Sequence, residues 1–486
     1  MIPRPGGVLI VWLAALGASG TGAAAASEPD PARIEALVAE LDELRHEHGV
    51  AAVALTLVSR DRILWSGARG LADRATHRPA SAGTVFRVGS ITKAFTGLAL
   101  LIAERDGRLR LDEPLRAYAP DAALDNPWAE TRPVRLDQLL EHTAGLLDLS
   151  QQEWDHSDPA PIDLAAGLAV APEARRVLWA PGMHSSYSNA GAGLAGYALE
   201  RATGQGYEDF VVRRILRPIG MERAGFFLDD WTRDRLATGY DSDGVTVIPY
   251  WHMIFRPFGG LNASPREMGA FVRMLLNRGR VGDRQLIDET SIDRLESPRT
   301  SLAARDGLSY GYGLGVYQHS HRGFVFHGHG GDADGYLSHF AYSPALGLGY
   351  YLVINAFKGD VLAEMRQRVE DLLVQGHRRP SPPPRHRLSP EAMRALAGHY
   401  EAVTYRFAWE AEARGQRDRL CVAVDGERLL TRRSRSAGRE LIPVADRHFR
   451  RRGEPLATIA FVESDGELYL QGDLGNYRRI ARGCGG

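Results

Sequence analysis

Ser90-Ile91-Thr92-Lys93 opens a run that is largely apolar from residue 94 to Arg105 and is followed, after one aspartate, by Gly107. The run reads as a buried helix with a glycine stop signal. Positions i and i+3 share a helix face, so the Lys93 amine can approach the Ser90 hydroxyl. A helix start also leaves backbone N–H groups free and carries the positive dipole end, which favours a developing oxyanion. The lysine is rare here. Lys and Arg together number 59, and only Lys93 and Lys358 are lysines. Arginine keeps its proton at any working pH, whereas a lysine can release it. A few lysines survive any composition bias, so rarity alone assigns no role. Position does: the residue three before Lys358 is Asn355, not a hydroxyl.

At 486 residues the chain is long enough for two or three domains, and 44% hydrophobic residues support a sizeable core. A formal net charge of −1 points to no nucleic-acid partner. Arg4, an apolar run over residues 8–16 and Ala24-Ala25-Ala26 predict a secretory signal over residues 1–26. The mature protein is therefore expected to be periplasmic or secreted. The apolar run is too short to span a bilayer comfortably, and no later segment reaches that length without charge. Cys421 and Cys484 could form one disulfide after export or remain thiols. Two cysteines make a cysteine metal site improbable, and no cofactor is implied. Oligomeric state is not readable.

Along the chain, Asp30-Pro31 predicts a helix N-terminus, with Ile34, Leu37, Val38, Leu41 and Leu44 as its apolar stripe and Gly49 as its end. Strand-like runs follow at residues 51–58 and 62–67. A mostly helical middle comes next, then strand-like runs within residues 310–357 and a helix over 361–374. Helices lying between early and late strands predict one sheet built from both ends of the domain. Residues 378–387 hold Pro380, Pro382, Pro383 and Pro384, a stiff linker. Beyond it, two apolar runs each contain an Asp-Gly pair, Asp425-Gly426 and Asp465-Gly466, suited to hairpins. These boundaries give a signal (1–26), a catalytic domain (30–376), a linker (377–389) and a small all-β barrel-like domain (390–486). No catalytic motif is evident in the last of these.

Three further motifs complete a pattern: His142-Thr143-Ala144-Gly145-Leu146, Tyr187-Ser188-Asn189 after Pro181-Gly182, and Gly328-His329-Gly330-Gly331. With Ser90-x-x-Lys93, their order and spacing resemble the β-lactamase-related serine hydrolases over roughly residues 32–375. That family holds class C β-lactamases, DD-peptidases, D-aminopeptidases and esterases. The tail resembles the lipocalin-like β domain that follows this hydrolase domain in some relatives. The resemblance implies an α/β, β-lactamase/transpeptidase-like domain: an antiparallel sheet flanked by helices, plus a helical subdomain.

It also implies roles. Ser90 is the nucleophile, activated by Lys93 and Tyr187, and the residues leave open which of the two takes the proton. A tyrosine acts as base only if cations stabilise its phenolate. Asn189 orients the lysine and meets a substrate amide. The backbone N–H groups of Ser90 and Asp332 hold the oxyanion, and Gly330 and Gly331 let substrate approach an edge strand. His142 is structural. Tyr250, Trp251, Phe255 and Phe258 are core residues or the lining of an apolar cleft. Where β-lactamases carry a lysine, His329 is largely neutral, which favours esters, amides or peptides without a strict anionic anchor. The expected activity is acyl-enzyme hydrolysis of an ester, amide or D-amino-acid peptide. A true β-lactamase or DD-carboxypeptidase is an alternative, as is a non-catalytic penicillin-binding sensor.

Overall fold

The computed structural model describes residues 28–122, 124–157, 160–408, 410, 418–433 and 438–483. The expected signal segment lies outside these residues, as does Cys484, so whether it pairs with Cys421 lies outside the described residues too. Among the described residues no helix is long and apolar enough to cross a membrane.

The helix Pro31–Glu47 begins as its sequence predicts, with the Asp30 carboxylate accepting from Ala32 N–H at 2.8 Å. The strand Ala52–Ser59 follows, and it explains how one sheet serves two cores. All eight of its residues are buried. Val53, Leu55 and Leu57 face the helices Pro31–Glu47 and Gly359–Val374, while Ala54 and Val58 face the opposite layer. Residues at the two ends of the domain do pair: Val53 to Ser59 lie antiparallel to Leu348–Ile354. The sheet runs Tyr317–His321, Phe324–Ala333, Tyr336–Ser343, Leu348–Ile354, Ala52–Ser59, Ile63–Asp73 and the two-residue strand Arg78–Pro79.

The layer on the second face contains the helix Thr92–Arg105, of whose fourteen residues twelve are buried. It packs beside the helices Asn189–Thr203 and Pro265–Leu276 in the larger core. A helix buried all round is held by its neighbours rather than by its own propensity. That fixes the direction in which Ser90 and Lys93 project.

After the linker, eight strands from Gly398–Ala402 to Gly475–Ala481 close into an antiparallel barrel. Tyr400, Leu420, Leu429, Phe449, Phe461 and Leu470 fill its interior, with Met393 and Leu396 of the helix Pro390–Leu396. The barrel is thus a packed core rather than an empty calyx. Asp465-Gly466 makes the expected hairpin turn, both residues having positive φ (53° and 79°). The other hairpin is displaced by one residue, because Asp425 pairs with Arg428 and leaves Gly426 and Glu427 as its loop.

The two domains share a packed interface. Met183, Ala303 and Leu308 meet Ala460, Val462 and Tyr469. Gln471 Nε2 donates to Met183 O at 2.8 Å, and Asn476 Nδ2 donates to Ser185 O at 2.7 Å. Both contacts grip the segment leading into Tyr187.

Candidate active site

Ser90 lies in a single 3₁₀ turn, Gly89–Ile91, that runs straight into the helix Thr92–Arg105. Lys93 Nζ sits 3.0 Å from Ser90 Oγ. The amine has two other contacts, Asn189 Oδ1 at 2.7 Å and the Phe258 carbonyl at 2.9 Å, and both are acceptors. The Asn189 amide is orientated by Asp148, whose carboxylate accepts from Asn189 Nδ2 at 3.2 Å and from Asn189 N–H at 2.7 Å. A neutral amine has two N–H bonds and one lone pair. With both N–H bonds spent on Asn189 and Phe258, the lone pair is left facing Ser90. Lys93 is fully buried, and burial holds its amine well below the usual lysine range; Arg406 acts the same way, against the opposing pull of Asp148 and Asp332.

The Tyr187-Ser188-Asn189 motif is a helix start. Ser188 caps the helix Asn189–Thr203, its Oγ accepting from Gly191 N–H at 3.1 Å and donating to Leu147 O at 2.7 Å. Tyr187 thus stands one residue before the cap and lines the same cleft as Ser90. Burial pushes the Tyr187 phenol above its ordinary range, and this outweighs the lowering by Ser90 and Arg406. Tyr187 is therefore a neutral phenol in the free protein. His142 serves the tyrosine: its Nδ1 accepts from Ser188 N–H at 3.1 Å, and its ring lies 4.3 Å from the Tyr187 ring.

His329 lines the same cleft as Ser90, its ring 6.3 Å from that of Tyr187. It is 3% exposed. Burial first, and Lys93 second, push its imidazole down to about 3, so it is uncharged through the neutral range. Its Nδ1 is 2.5 Å from Gly330 O, and its Nε2, buried, has no protein partner.

The strand Phe324–Ala333 is not the sheet edge expected from the sequence. Tyr317–His321 pairs with it as far as Gly328, which leaves residues 329–333 uncovered by a strand on that side. Gly330 opens onto the cleft, but Gly331 acts differently from expectation. A Cβ on Gly331 would lie 1.9 Å from Val88 O, so that glycine lets the strand touch the nucleophile turn, not the substrate. A Cβ on Gly89, whose φ is +58°, would lie 2.5 Å from Asp332 N. The backbone of Asp332 is thereby brought against Gly89-Ser90. The Asp332 side chain is exposed at the cleft mouth, where the neighbouring walls and then Asp334 raise its carboxyl above the ordinary range.

These groups line a cleft of about 580 Å³. Trp251 and Phe258 line it, whereas Phe255 is core and Tyr250 holds Arg87 and Asn262. Sequence reasoning missed several members. Tyr312 and Tyr317 form a wall, their rings 5.8 and 5.3 Å from His329. The glycine-spaced run Tyr310-Gly311-Tyr312-Gly313 was the available signal. Arg406 and Phe407 also line the cleft, and they come from the barrel domain, which the sequence had left without a part in the site.

Residues 34–375 match the sequence profile of the family described as Beta-lactamase. The chain is 28% identical over 357 residues to a human protein named putative beta-lactamase-like 1, covering 69% of each chain. It is 30% identical over 320 residues to the D-aminopeptidase of Brucella anthropi, covering 64% of this chain and 56% of that one. Among solved structures, the octameric penicillin-binding protein homologue of Pyrococcus abyssi aligns with a TM-score of 0.61 at 20% identity, over 92% of this chain and 100% of that one. The match therefore runs through the barrel as well as the catalytic domain. Serine, lysine, tyrosine and the His-Gly-Gly strand converge where the family's profile runs. The chain belongs to the beta-lactamase family of serine hydrolases.

Proposed function

We propose that this protein is an exported acyl-enzyme hydrolase of an ester, amide or D-amino-acid peptide, with Ser90 as nucleophile. The observation that carries this reading is the placement of Lys93 Nζ 3.0 Å from Ser90 Oγ, with Asn189 Oδ1 and Phe258 O, both acceptors, as its other hydrogen-bond partners. The Ser90 hydroxyl gives its proton to Lys93 Nζ as Oγ attacks the carbonyl carbon. The backbone N–H groups of Ser90 and Asp332 hold the oxyanion. As the tetrahedral intermediate collapses, Tyr187 O–H protonates the leaving group and recovers a proton from the Lys93 ammonium. Water then attacks the acyl-enzyme, with the same groups returning its proton. The lysine is favoured as the first base because burial shifts its amine toward the neutral form while it keeps the phenol protonated. The relatives' range, from a D-aminopeptidase to an esterase-type hydrolase named EstCE1, supports the substrate class. Export rests on residues 1–26 alone.

Intact-mass analysis after treatment with a fluorophosphonate or a penicillin tests the assignment. One adduct is expected, on the peptide containing Ser90, with the parent mass lacking about residues 1–26 when the protein is recovered from outside the cytoplasm. An adduct persisting in Ser90→Ala would falsify it.

The neutral His329 disfavours β-lactams and terminal carboxylates as preferred substrates. Restoring a cation with His329→Lys should raise kcat/KM for a β-lactam relative to a neutral p-nitrophenyl ester. A hydrogen bond to a charged group contributes about 1.5–3 kcal/mol, so the ratio should move by about 10–100-fold. An unchanged ratio would show that residue 329 does not meet the substrate's anion.

A further inference from the structure

Residues 405–407, which follow the first barrel strand, lie across both loops that hold the catalytic groups. Tyr405 O accepts from Ser186 Oγ at 2.9 Å, just before Tyr187. Arg406 O accepts from Asp148 N–H at 2.9 Å. The Arg406 side chain turns inward, with Nε donating to Asp148 Oδ2 at 2.7 Å and the guanidinium 4.7 Å over the Tyr187 ring. Phe407 meets Trp154 at 5.9 Å on the cleft rim. The Asp148 side chain is fully buried. Its oxygens hold Asn189 N–H, Asn189 Nδ2, its neighbour Leu149 N–H and Arg406.

We propose that Arg406 of the barrel domain is a positioning residue of the hydrolase site, acting through Asp148 and Asn189 on Lys93, so that the catalytic centre is complete only with both domains. This rests on the reading of Lys93 as the base. The chain of contacts is continuous: guanidinium to Asp148, Asp148 to the Asn189 amide, Asn189 Oδ1 to Lys93, Lys93 to Ser90. Asp148 has two jobs that conflict. It must hold the Asn189 amide the right way round, which needs a carboxylate. An unneutralised carboxylate this near would also favour the lysine ammonium, which has no lone pair. Arg406 resolves the conflict by cancelling the charge while leaving the hydrogen bonds in place. The same cation lies over the Tyr187 face, where it stabilises negative charge passing through the phenol oxygen.

The groups facing Lys93 are Ser90 from its own turn, Tyr187 and Asn189 from the neighbouring helix start, His142, Asp148, His329 and Asp332 from the strand, and Arg406 from the barrel. Both histidines are held neutral by burial. Asp148 and Arg406 therefore dominate, with Asp332 titrating nearby.

The test uses the full chain and follows the rate of Ser90 modification by a fluorophosphonate, together with kcat/KM for a p-nitrophenyl ester, across pH. In Arg406→Gln, which keeps a donor for Asp148 and removes only the charge, Lys93 should rise toward its ordinary range. The acidic limb of both profiles should then move to higher pH. Arg406→Ala should do the same and slow acylation near neutrality by about 10²-fold, the scale of a misplaced catalytic group. Arg406→Lys should recover part of the rate with the limb nearly unmoved. Adding Asp148→Asn to Arg406→Gln should bring the limb back down. Each comparison is repeated in an Asp332→Asn background to separate that titration. A rate lowered equally at every pH, or not lowered at all, would overturn the proposal. Modification that survives Ser90→Ala would instead overturn the acyl-enzyme reading beneath it.

Discussion

Lys93→Arg is expected to lose about 10²–10⁴-fold or more in kcat/KM, although nearly every other cationic position in this chain is already arginine. The pocket explains the expectation. Lys93 is fully buried and held below the usual lysine range, so in the proposed mechanism it serves as a base with its lone pair on Ser90. A guanidinium cannot deprotonate and offers no lone pair. It would also keep a permanent charge in a site whose burial opposes one, and its planar fork would crowd the Ser90 oxygen. Lys93→Met separates chemistry from folding. The thioether approximates the length of the lysine stem without the desolvation cost of an amine, so a thermal melt should show it at least as stable as the parent. The sign follows from linkage. A lysine whose folded pKa is depressed costs stability below its unfolded value and regains it only as pH rises toward that value. Removing the amine removes that cost at neutral pH. A folded Lys93→Arg protein with near-normal turnover would leave Lys93 as a charge and not a base.

What the sequence revealed follows a physical line. The helix from Pro31 was legible because it is written locally, in a cap and an apolar period, and the pairing of early with late strands because the helices fall between two strand-like groups. Ser90 with Lys93, and Tyr187 with Asn189, were legible because each pair lies within four residues of the chain. Arg406 was not, because its partner Asp148 is 258 residues away and the segment holding it has no periodic pattern. Asp148 itself left a signal, an acid between Leu147 and Leu149 three residues after Gly145. A carboxylate in an apolar run has to be paired, and the sequence does not say with what. Of the glycines of the His-Gly-Gly strand, Gly331 was found but misread. Their composition said close approach, and only the register of the sheet says that Gly331 approaches Val88.

Gly331→Ala should therefore be among the most damaging small substitutions in the site. The added methyl would sit 1.9 Å from Val88 O and 2.2 Å from Ser338 Oγ. Ser338 can rotate only by giving up its hydrogen bond to Val88 O at 2.9 Å. Val88 cannot give easily, because its N–H is bound to Leu261 O at 3.0 Å and its side chain is fully buried. The strand must then move away from the turn Gly89–Ile91, and Asp332 N moves with it. Overpacking of this kind costs about 1–3 kcal/mol of stability. The catalytic loss should be larger in proportion. Losing one oxyanion donor typically lowers kcat by about 10²–10³-fold. Gly330→Ala is the control, since its Cβ would meet nothing closer than 3.8 Å and no backbone atom closer than 3.9 Å. Gly331→Ala should depress kcat with a smaller change in KM, because the oxyanion forms only after binding. Equal effects of the two alanines on kcat would mean that contact between the strand and the nucleophile turn does not set the oxyanion site.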